Sequence, residues 1–171
     1  TPALAGVRDS KQLSARQRER LDEAIRAAAL AVGVGESSVE EIDTFGIVPA
    51  TRLAIRRAVD GLGLVPAFVL IDGRGLEMQH IPCRCVVKGD ALCLSIAAAS
   101  IVAKVARDTY MREMDRLYPG YGFARHKGYG TAAHLESLAQ LGPSPIHRMS
   151  FAPVRHAAAR VGAGRQRGVY R

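Results

Sequence analysis

Two aspartates each follow a short apolar run of the chain, and such an arrangement could bind a metal ion. Asp72 directly follows the run Ala67 to Ile71, and Asp90 ends the Lys-Gly-Asp step after the run Arg84 to Val87. In open α/β sheets, functional groups collect beyond the carboxyl ends of the strands. Carboxylate oxygens placed there suit hard divalent cations such as Mg²⁺ and Mn²⁺. The alternative is that each aspartate only opens a turn, a common position for this residue.

Residues on a loop and on an apolar helix could contact nucleic acid or complete this site. Lys11 offers charge and Ser10 a hydroxyl, both ordinary phosphate contacts, although a solvated loop before a helix explains them equally well. Lys104 lies in an otherwise apolar segment, so its ammonium must reach solvent, a phosphate or a carboxylate. Asp108 follows four residues later, and a Lys104–Asp108 pair is preferred over metal ligation by Asp108.

An aromatic residue on a glycine-rich turn is a further candidate. Tyr129 lies between Gly128 and Gly130, a setting typical of an accessible turn rather than a core. An accessible ring can stack on a sugar or a base, and Arg125 and Lys127 beside it can hold phosphates. From the residues alone, a loop tyrosine without a special function is the favoured interpretation.

The histidines and cysteines give weaker indications. Four histidines could act as acids or bases: His126, His134, His147 and His156. Structural or phosphate-binding functions are favoured for them over acid–base chemistry. Three cysteines lie close in sequence: Cys83, Cys85 and Cys93. A structural zinc site would need a fourth ligand, for which His80 is the nearby candidate, so buried reduced thiols and a cytoplasmic location are preferred.

The elements that must position these residues alternate between helical and strand-like patterns, which predicts an α/β class. Capping boxes at Ser14 and Ser38 open two helices, and Pro49 suits the first turn of a third that buries Leu53, Ala54, Ala58 and Leu62. The predicted strands are Leu30 to Val34, Ala67 to Ile71 and Arg84 to Val87, the second of them central and buried on both faces. The remaining predicted helices run from about Leu92 to Leu117, from Thr131 to Leu141 and from Pro153.

The composition is that of an ordinary globular chain with a strong positive charge. The chain has 171 residues, 48% of them hydrophobic, and no apolar run long enough to span a bilayer. A net charge of +8 favours a polyanionic partner. Because the last stretch is rich in arginine and glycine, we predict one domain over residues 1–161 and a basic, disordered tail over residues 162–171.

Six segments in fixed order carry a resemblance that the isolated residues do not. They are RDSKQLS (8–14), EEIDTFGI (40–47), VLIDG (69–73), VVKGDALCLSIAAASIVAKVARD (86–108), YPGYGFARHKGYGT (118–131) and GPSPIHRMSF (142–151). Together they resemble ribonuclease HII over residues 7–154. The AASIVAK…RD and HKGYGT…H strings are the most specific parts of the resemblance.

The resemblance implies a fold, an activity and a partner. The fold is RNase H-like, with a mixed central sheet flanked by helices and a C-terminal helical portion that grips a duplex. The activity is hydrolysis of the RNA strand of RNA–DNA hybrids and incision at ribonucleotides embedded in duplex DNA, with two Mn²⁺ or Mg²⁺ ions. The partner is then such a hybrid or duplex, with no membrane contact, and the protein is expected to be a monomer.

The resemblance also assigns residues of this sequence to the site. Asp72 matches the third of four metal-binding carboxylates and Asp90 the fourth. Tyr129 matches the tyrosine that recognises the junction between ribonucleotide and deoxyribonucleotide. The other positions that the resemblance places at the nucleic acid are Ser10, Lys11, Lys104, Lys127 and Arg148, with Asp108 as a candidate support for the metal ligands.

The opening of the chain departs from the family pattern. The family's first two carboxylates form an adjacent Asp-Glu pair before a Gly-Arg-Gly motif, whereas Thr1 to Arg8 aligns just before the DSK loop. Arg74, in Gly73-Arg74-Gly75, follows the third carboxylate and does not replace that motif. We therefore expect a fold incomplete at its N-terminus and little cleavage by the 171-residue chain. A noncatalytic nucleic-acid-binding remnant of the family is the alternative.

Overall fold

The computed structural model describes residues 4–166, with side chains described as far as residue 160. A short 3-10 turn, Ser10–Gln12, comes first. The helices and strands that follow, in chain order, are α1 (Ala15–Ala28), α2 (Val39–Phe45), α3 (Ile47–Asp60), β1 (Val69–Asp72), β2 (Cys83–Val86), α4 (Gly89–Leu92), α5 (Leu94–Leu117), α6 (Phe123–His126), α7 (Ala132–Leu141) and α8 (Ala152–Gln166). No helix among the described residues is long and apolar enough to cross a membrane.

The strands β1 and β2 form a two-stranded parallel sheet. Val69 pairs with Cys83 and Asp72 with Val86, and the Gly73 N–H donates to the Val86 carbonyl at 3.0 Å. Because parallel strands end at the same edge of a sheet, the segments that follow β1 and β2 leave from one edge. Asp72 ends β1 as predicted, whereas Asp90 lies beyond the end of β2, in α4. The pairing of the two strands was not predicted.

The chain divides into two compact units. The first contains the residues before Ser38 together with Val48–Arg107, and the second contains Ser38–Ile47 and the residues after Arg107. The sequence predicted a single domain over residues 1–161, and that boundary stays a prediction.

The core of the first unit joins α1 to the first half of α5. Its buried members are Leu13, Leu21, Ile25, Ile101 and Val102. The predicted capping box is confirmed, since the Ser14 side chain accepts from the Gln17 N–H and Gln17 returns the bond to Ser14. The cap fixes where α1 begins, and the four-residue spacing of Leu21 and Ile25 directs both toward the core.

Two apolar clusters lie in the second unit. One contains Met111, Met114, Tyr121 and Phe123, and the other contains Leu138, Val154 and Ala157. The cap at Thr131 is confirmed, because its hydroxyl accepts from the His134 N–H, and so is the capping box at Ser38. Pro153 lies in the first turn of α8, as predicted.

Several predictions from the pattern of apolar residues were wrong. Residues 30–34 form no strand, and Leu30 is 93% exposed. On α3, Ala50 is the buried residue, whereas Leu53 is only half-buried. In β1 only Ile71 is buried and Leu70 is 41% exposed, because β1 pairs with one strand among the described residues rather than with two. A pattern of apolar residues indicates which residues a segment can bury, but it does not show whether another element packs against them.

The two ends of the C-terminal half also differ from prediction. The long helix was expected from about Leu92, but α4 ends at Leu92, Cys93 is extended (φ −126°, ψ 122°), and α5 begins at Leu94. Helix α8 continues to Gln166, through residues that were predicted as part of the disordered tail. The rest of that predicted tail, residues 167–171, lies outside the described residues.

Candidate active site

The carboxylates of Asp72 and Asp90 are positioned by one short connection. Asp72 ends β1, and its Oδ1 accepts a hydrogen bond from the Gly89 N–H at 2.8 Å. Gly89 opens α4, and Asp90 is the next residue, in the first turn of that helix. The side chain of one aspartate therefore holds the backbone immediately before the other, so that the structure brings together the two residues that the sequence singled out.

The glycine at position 89 lies close to two neighbouring side chains. A Cβ built there would lie 2.5 Å from Ile96 Cδ1 and 3.3 Å from Asp72 Oδ1. Lys88 precedes it in the left-handed conformation, with φ 56°, which is unfavourable for a residue with a side chain. The Lys-Gly-Asp step thus follows β2 as a tight turn and not as a continuation of the strand.

Lys11 forms an ion pair with Asp90 that the sequence did not predict. Its Nζ donates to Asp90 Oδ2 at 2.7 Å and lies 3.7 Å from Asp9 Oδ1. The hydrogen bond from Lys11 lowers the pKa of Asp90, and its bond to Asp90 raises the pKa of Lys11. The Asp90 side chain is buried while that of Lys11 is 77% exposed, so solvent can replace the ammonium easily. Because 79 residues separate the partners, no local spacing could have predicted this pair.

A cleft opens beside Asp90. It has a volume of about 320 Å³ and is lined by residues 7–9 and 12 together with residues 90–94 and 97. Asp9, Asp90 and Arg8 are among the residues that line it. The cleft therefore has charged residues in its lining next to the candidate metal ligand Asp90.

Three of the predicted site residues in the first unit and on α5 lie in less accessible positions. Ser10 is buried, and its hydroxyl is hydrogen-bonded to the Ser100 hydroxyl at 2.7 Å, which links the DSK loop to α5. Lys104 is half-buried and Asp108 is buried, both on α5. A phosphate contact for Ser10 and Lys104, and a supporting function for Asp108, stay predictions.

Tyr129 is exposed, as its flanking glycines predicted. Its side chain is 57% exposed, in the loop between α6 and α7. Lys127, two residues earlier, is left-handed with φ 53° and half-buried, and Arg125 is exposed. Arg148 is half-buried in a loop of the same unit. The structure thus presents an aromatic ring and basic side chains on this unit, and their contact with nucleic acid stays a prediction.

Three of the four histidines form one cluster in the second unit, and the preference for structural or phosphate-binding functions over acid–base chemistry stays a prediction. The rings of His126 and His134 are stacked with centroids 4.2 Å apart, and His134 Nε2 lies 3.1 Å from His147 Nε2. Burial lowers the pKa of His147 to about 4 and also lowers that of His134. His156 is exposed on α8. Sequence analysis named these histidines but could not show which of them meet.

One anchoring residue was missed. The Asp43 carboxylate on α2 accepts the backbone N–H groups of Met149 at 2.7 Å and of Ser150 at 2.9 Å. Hydrogen bonds from Ser150 and Met149 lower the pKa of Asp43, and the nearby charge of Arg148 adds to the effect. Asp43 therefore fixes the backbone that carries Arg148. Nothing but its place in the EEIDTFGI string could have indicated this.

The chain matches known proteins over most of its length. The family model described as Ribonuclease HII matches residues 3–154. The ribonuclease HII of Caulobacter vibrioides (strain NA1000 / CB15N) is 54% identical over 154 residues, which are 90% of this chain and 73% of that protein. The ribonuclease HII of Acidovorax sp. (strain JS42) is also 54% identical, over 90% of this chain and 74% of that protein.

A solved structure is similar in fold. The ribonuclease H2 from Pyrococcus horikoshii OT3 superposes with a TM-score of 0.70 at 23% identity, over 91% of this chain and 81% of that one. This likeness shows an RNase H-like α/β fold, in agreement with the class that the sequence predicted. With the family model matching residues 3–154 and relatives 54% identical over 90% of its length, the chain belongs to the ribonuclease HII family of ribonucleases.

Proposed function

We propose that this protein hydrolyses the RNA strand of RNA–DNA hybrids and cuts at ribonucleotides embedded in duplex DNA. The observation that carries the proposal is the connection of the two carboxylates, in which Asp72 holds the Gly89 N–H and thereby the backbone of Asp90. A pair of carboxylates on a strand end and a helix start forms a rigid donor set. Membership of a ribonuclease family makes phosphodiester hydrolysis the reaction that this donor set would serve.

The donor chemistry fits hard divalent cations. Asp72 and Asp90 would hold Mn²⁺ or Mg²⁺, because carboxylate oxygens are the ligands that these ions prefer. When bound, the ions would activate a water molecule and stabilise the leaving oxygen. Within the part of the chain that the structure describes, no group of three or more His, Cys, Asp or Glu side chains is arranged so that it could hold a metal ion. The described residues therefore supply two carboxylates toward the four that the family pattern implies.

Basic residues and one aromatic ring would hold the nucleic acid. The Lys11 ammonium, now paired with Asp90, would move to a phosphate once a cation neutralises that carboxylate. Tyr129 would stack on a sugar at the ribonucleotide, while Lys104, Lys127, Arg148 and the Ser10 hydroxyl would contact the backbone. A net charge of +8 supports a polyanionic partner. A cytoplasmic, monomeric protein is the form that we expect.

Cleavage of a defined duplex tests the proposal. A DNA duplex with one ribonucleotide is incubated with the protein as its gene encodes it, in Mg²⁺, in Mn²⁺ and in chelator. Cleavage should need the cation, and Asp72→Asn and Asp90→Asn should each remove nearly all of it. Asp60→Asn is the matched control, because Asp60 is exposed at the end of α3. Full cleavage by Asp90→Asn would show that Asp90 is not a ligand.

A noncatalytic nucleic-acid-binding protein is the second candidate. It is favoured by the pairing of Asp90 with Lys11 at 2.7 Å and by the presence of two carboxylates in the described site. For the 171-residue chain itself we expect binding of the duplex with little cleavage, because two carboxylates hold two cations poorly. Strong metal-dependent cleavage by this chain would exclude the second candidate, and binding without cleavage by the gene-encoded protein would support it.

A further inference from the structure

The backbone of Tyr129 is held on both sides while its ring is exposed. The Tyr129 N–H donates to the His126 carbonyl at 2.9 Å. The Tyr129 carbonyl accepts from the Thr131 N–H at 2.8 Å and contacts His134 Nδ1 at 2.9 Å. The ring itself is 57% exposed. Such an arrangement fixes the position from which the ring projects without enclosing it.

The hydrogen bonds that connect Tyr129 to His134, His147 and Ser144 allow one assignment of donors and acceptors. A carbonyl only accepts, so His134 Nδ1 carries the proton and donates to Tyr129. In a neutral His134 ring, Nε2 then accepts, and His147 Nε2 must donate to it across 3.1 Å. His147 Nδ1 is left to accept, from the Ser144 N–H at 3.0 Å and from the Ser144 hydroxyl at 2.7 Å. The partners at both ends of this series of hydrogen bonds fit the same assignment, in which both rings are neutral. His134 is then protonated at Nδ1 and His147 at Nε2.

The donors and acceptors around His126 also assign its tautomer, and its ring is stacked on that of His134. Its Nε2 lies 2.8 Å from the Tyr121 carbonyl and therefore donates, whereas its Nδ1 accepts from the Gly128 N–H at 3.2 Å. Its ring is stacked on that of His134 at 4.2 Å and 13°. His134, His147 and Ser144 are all buried, so protonation of this group of rings would place charge away from water.

We propose that His134 is the positioning residue of Tyr129, and that His147, set by Ser144, fixes the tautomer with which His134 holds it. The inference rests on the proposed function only in taking Tyr129 as the residue that meets the ribonucleotide. The histidines do not touch nucleic acid in this scheme. They act through the loop backbone, and they do so only while the rings are neutral.

Protonation of His134 would break this series of hydrogen bonds at one contact, the one between His134 and His147. A proton on His134 Nε2 would face the Nε2–H of His147, and the 3.1 Å contact would become a contact between two donors. Among the described side chains, the titratable groups in ring contact with this pair are His126, stacked on His134, and Tyr121, 5.2 Å from His147. Burial lowers the pKa of both His147 and His134. The loop is therefore held at neutral pH and loosened as the pH falls below the ordinary histidine range.

Two variants of His134 separate positioning from mere packing. His134→Asn keeps a side-chain N–H near the position of Nδ1, while His134→Leu keeps bulk and removes the donor. Amide hydrogen exchange at Tyr129 and Thr131 in the 171-residue chain should become about five- to tenfold faster in His134→Leu and stay near wild type in His134→Asn. Should His134→Leu fail to fold, the ring nitrogen shifts of the wild-type protein still decide the matter. They must show His134 protonated at Nδ1 and His147 at Nε2, and the opposite tautomers would overturn the inference.

Binding then separates this inference from the proposed function. The probes are two duplexes of one sequence, all-DNA and with a single ribonucleotide, and the measured quantity is the ratio of their Kd values. Tyr129→Ala and His134→Leu should both bring this ratio to about one, and the double variant should equal Tyr129→Ala alone. No preference in the wild type would count against the proposed function, while the exchange result still decides on His134. A preserved preference in His134→Leu, with Tyr129→Ala losing it, would overturn the positioning function.

Discussion

The carboxylate site and the histidine cluster differ in how firmly they hold the hydrogen-bond partners of their polar side chains. Asp90 is charged, and its partner Lys11 is 77% exposed and easily displaced. His134 and His147 are buried, and in their neutral tautomers each ring nitrogen has at least one partner of the right kind. In the proposed function, the first region would exchange its partner for a cation. The second is built to keep its partners, because a buried group without its hydrogen bond is costly.

A strained backbone residue accompanies each region. Lys88 precedes Gly89 and Asp90, and Lys127 precedes the loop of Tyr129, with φ 56° and 53°. Among the described residues these are the non-glycine positions with positive φ. Strained conformations persist where surrounding contacts determine them strongly, which is common at functional sites. The two regions thus share a fixed backbone, although they treat charge differently.

Of the four predicted effects on these two regions, the largest loss of stability should come from disrupting the packing of the histidine cluster. The Phe123 ring is stacked on Tyr121 at 5.1 Å and contacts the three histidine rings at 5.4–5.8 Å. Phe123→Ala should lower the free energy of unfolding by about 3–5 kcal/mol, measured by urea denaturation. Phe68→Ala is the control, since Phe68 is 54% exposed and should cost less than about 1 kcal/mol. Equal losses in both variants would show that the cluster is not a tightly packed core.

The pH dependence of stability should show the neutral state of the histidines. The pKa of His147 is about 4 in the folded protein, and its ordinary value is 6.5. Between these pH values the unfolded protein therefore binds a proton at His147 that the folded protein does not bind. The contribution is complete above pH 6.5 and is lost as the pH falls toward 4, by up to about 3 kcal/mol. Urea denaturation between pH 7.5 and pH 4 measures it. Replacing the exposed His156 by Gln should leave the slope unchanged, and a flat wild-type curve would contradict a buried neutral pair.

A methyl group at position 89 should disturb the carboxylate site by steric contact. Gly89→Ala places a Cβ 2.5 Å from Ile96 Cδ1 and 3.3 Å from Asp72 Oδ1, and we expect a loss of about 1–3 kcal/mol with weaker Mn²⁺ binding. Ile96→Val removes Cδ1, so the double variant should recover most of the stability. Calorimetry with Mn²⁺ measures the second effect. If the double variant is no more stable than Gly89→Ala, the contact with Ile96 is not the cause.

The smallest effect should come from the exposed partner of Asp90. Lys11→Met removes the hydrogen bond that lowers the pKa of Asp90, so this pKa should rise toward its ordinary value of 3.8, as NMR titration of the carboxyl group would show. The stability at pH 7 should change by less than about 1 kcal/mol, since the lysine is mostly solvated. Lys88→Met, at a lysine that is also exposed, is the control for the loss of charge. A loss as large as that of Phe123→Ala would mean that the two regions do not differ as described.

Local signals in the sequence predicted the helices well and the strands less well. The caps at Ser14, Ser38 and Thr131 each satisfy backbone N–H groups within three residues, so their effect does not depend on the rest of the fold. The run Leu30 to Val34 has the composition of a strand, yet no strand among residues 4–166 pairs with it, and the run is irregular. A strand depends on a partner distant in sequence, and residue composition does not name that partner.

The sequence alone predicted the resemblance to the family, the two aspartates that follow apolar runs, and the exposed tyrosine between two glycines. Each of these follows from residue type and local spacing. Only the tertiary structure decided that Lys11 meets Asp90, that Asp72 holds Gly89, and that His147 and His134 form a directed chain to Tyr129. These contacts join residues that are 5 to 79 positions apart. Their geometry depends on how whole elements pack, since a polar group accepts whichever partner the fold places within hydrogen-bond distance.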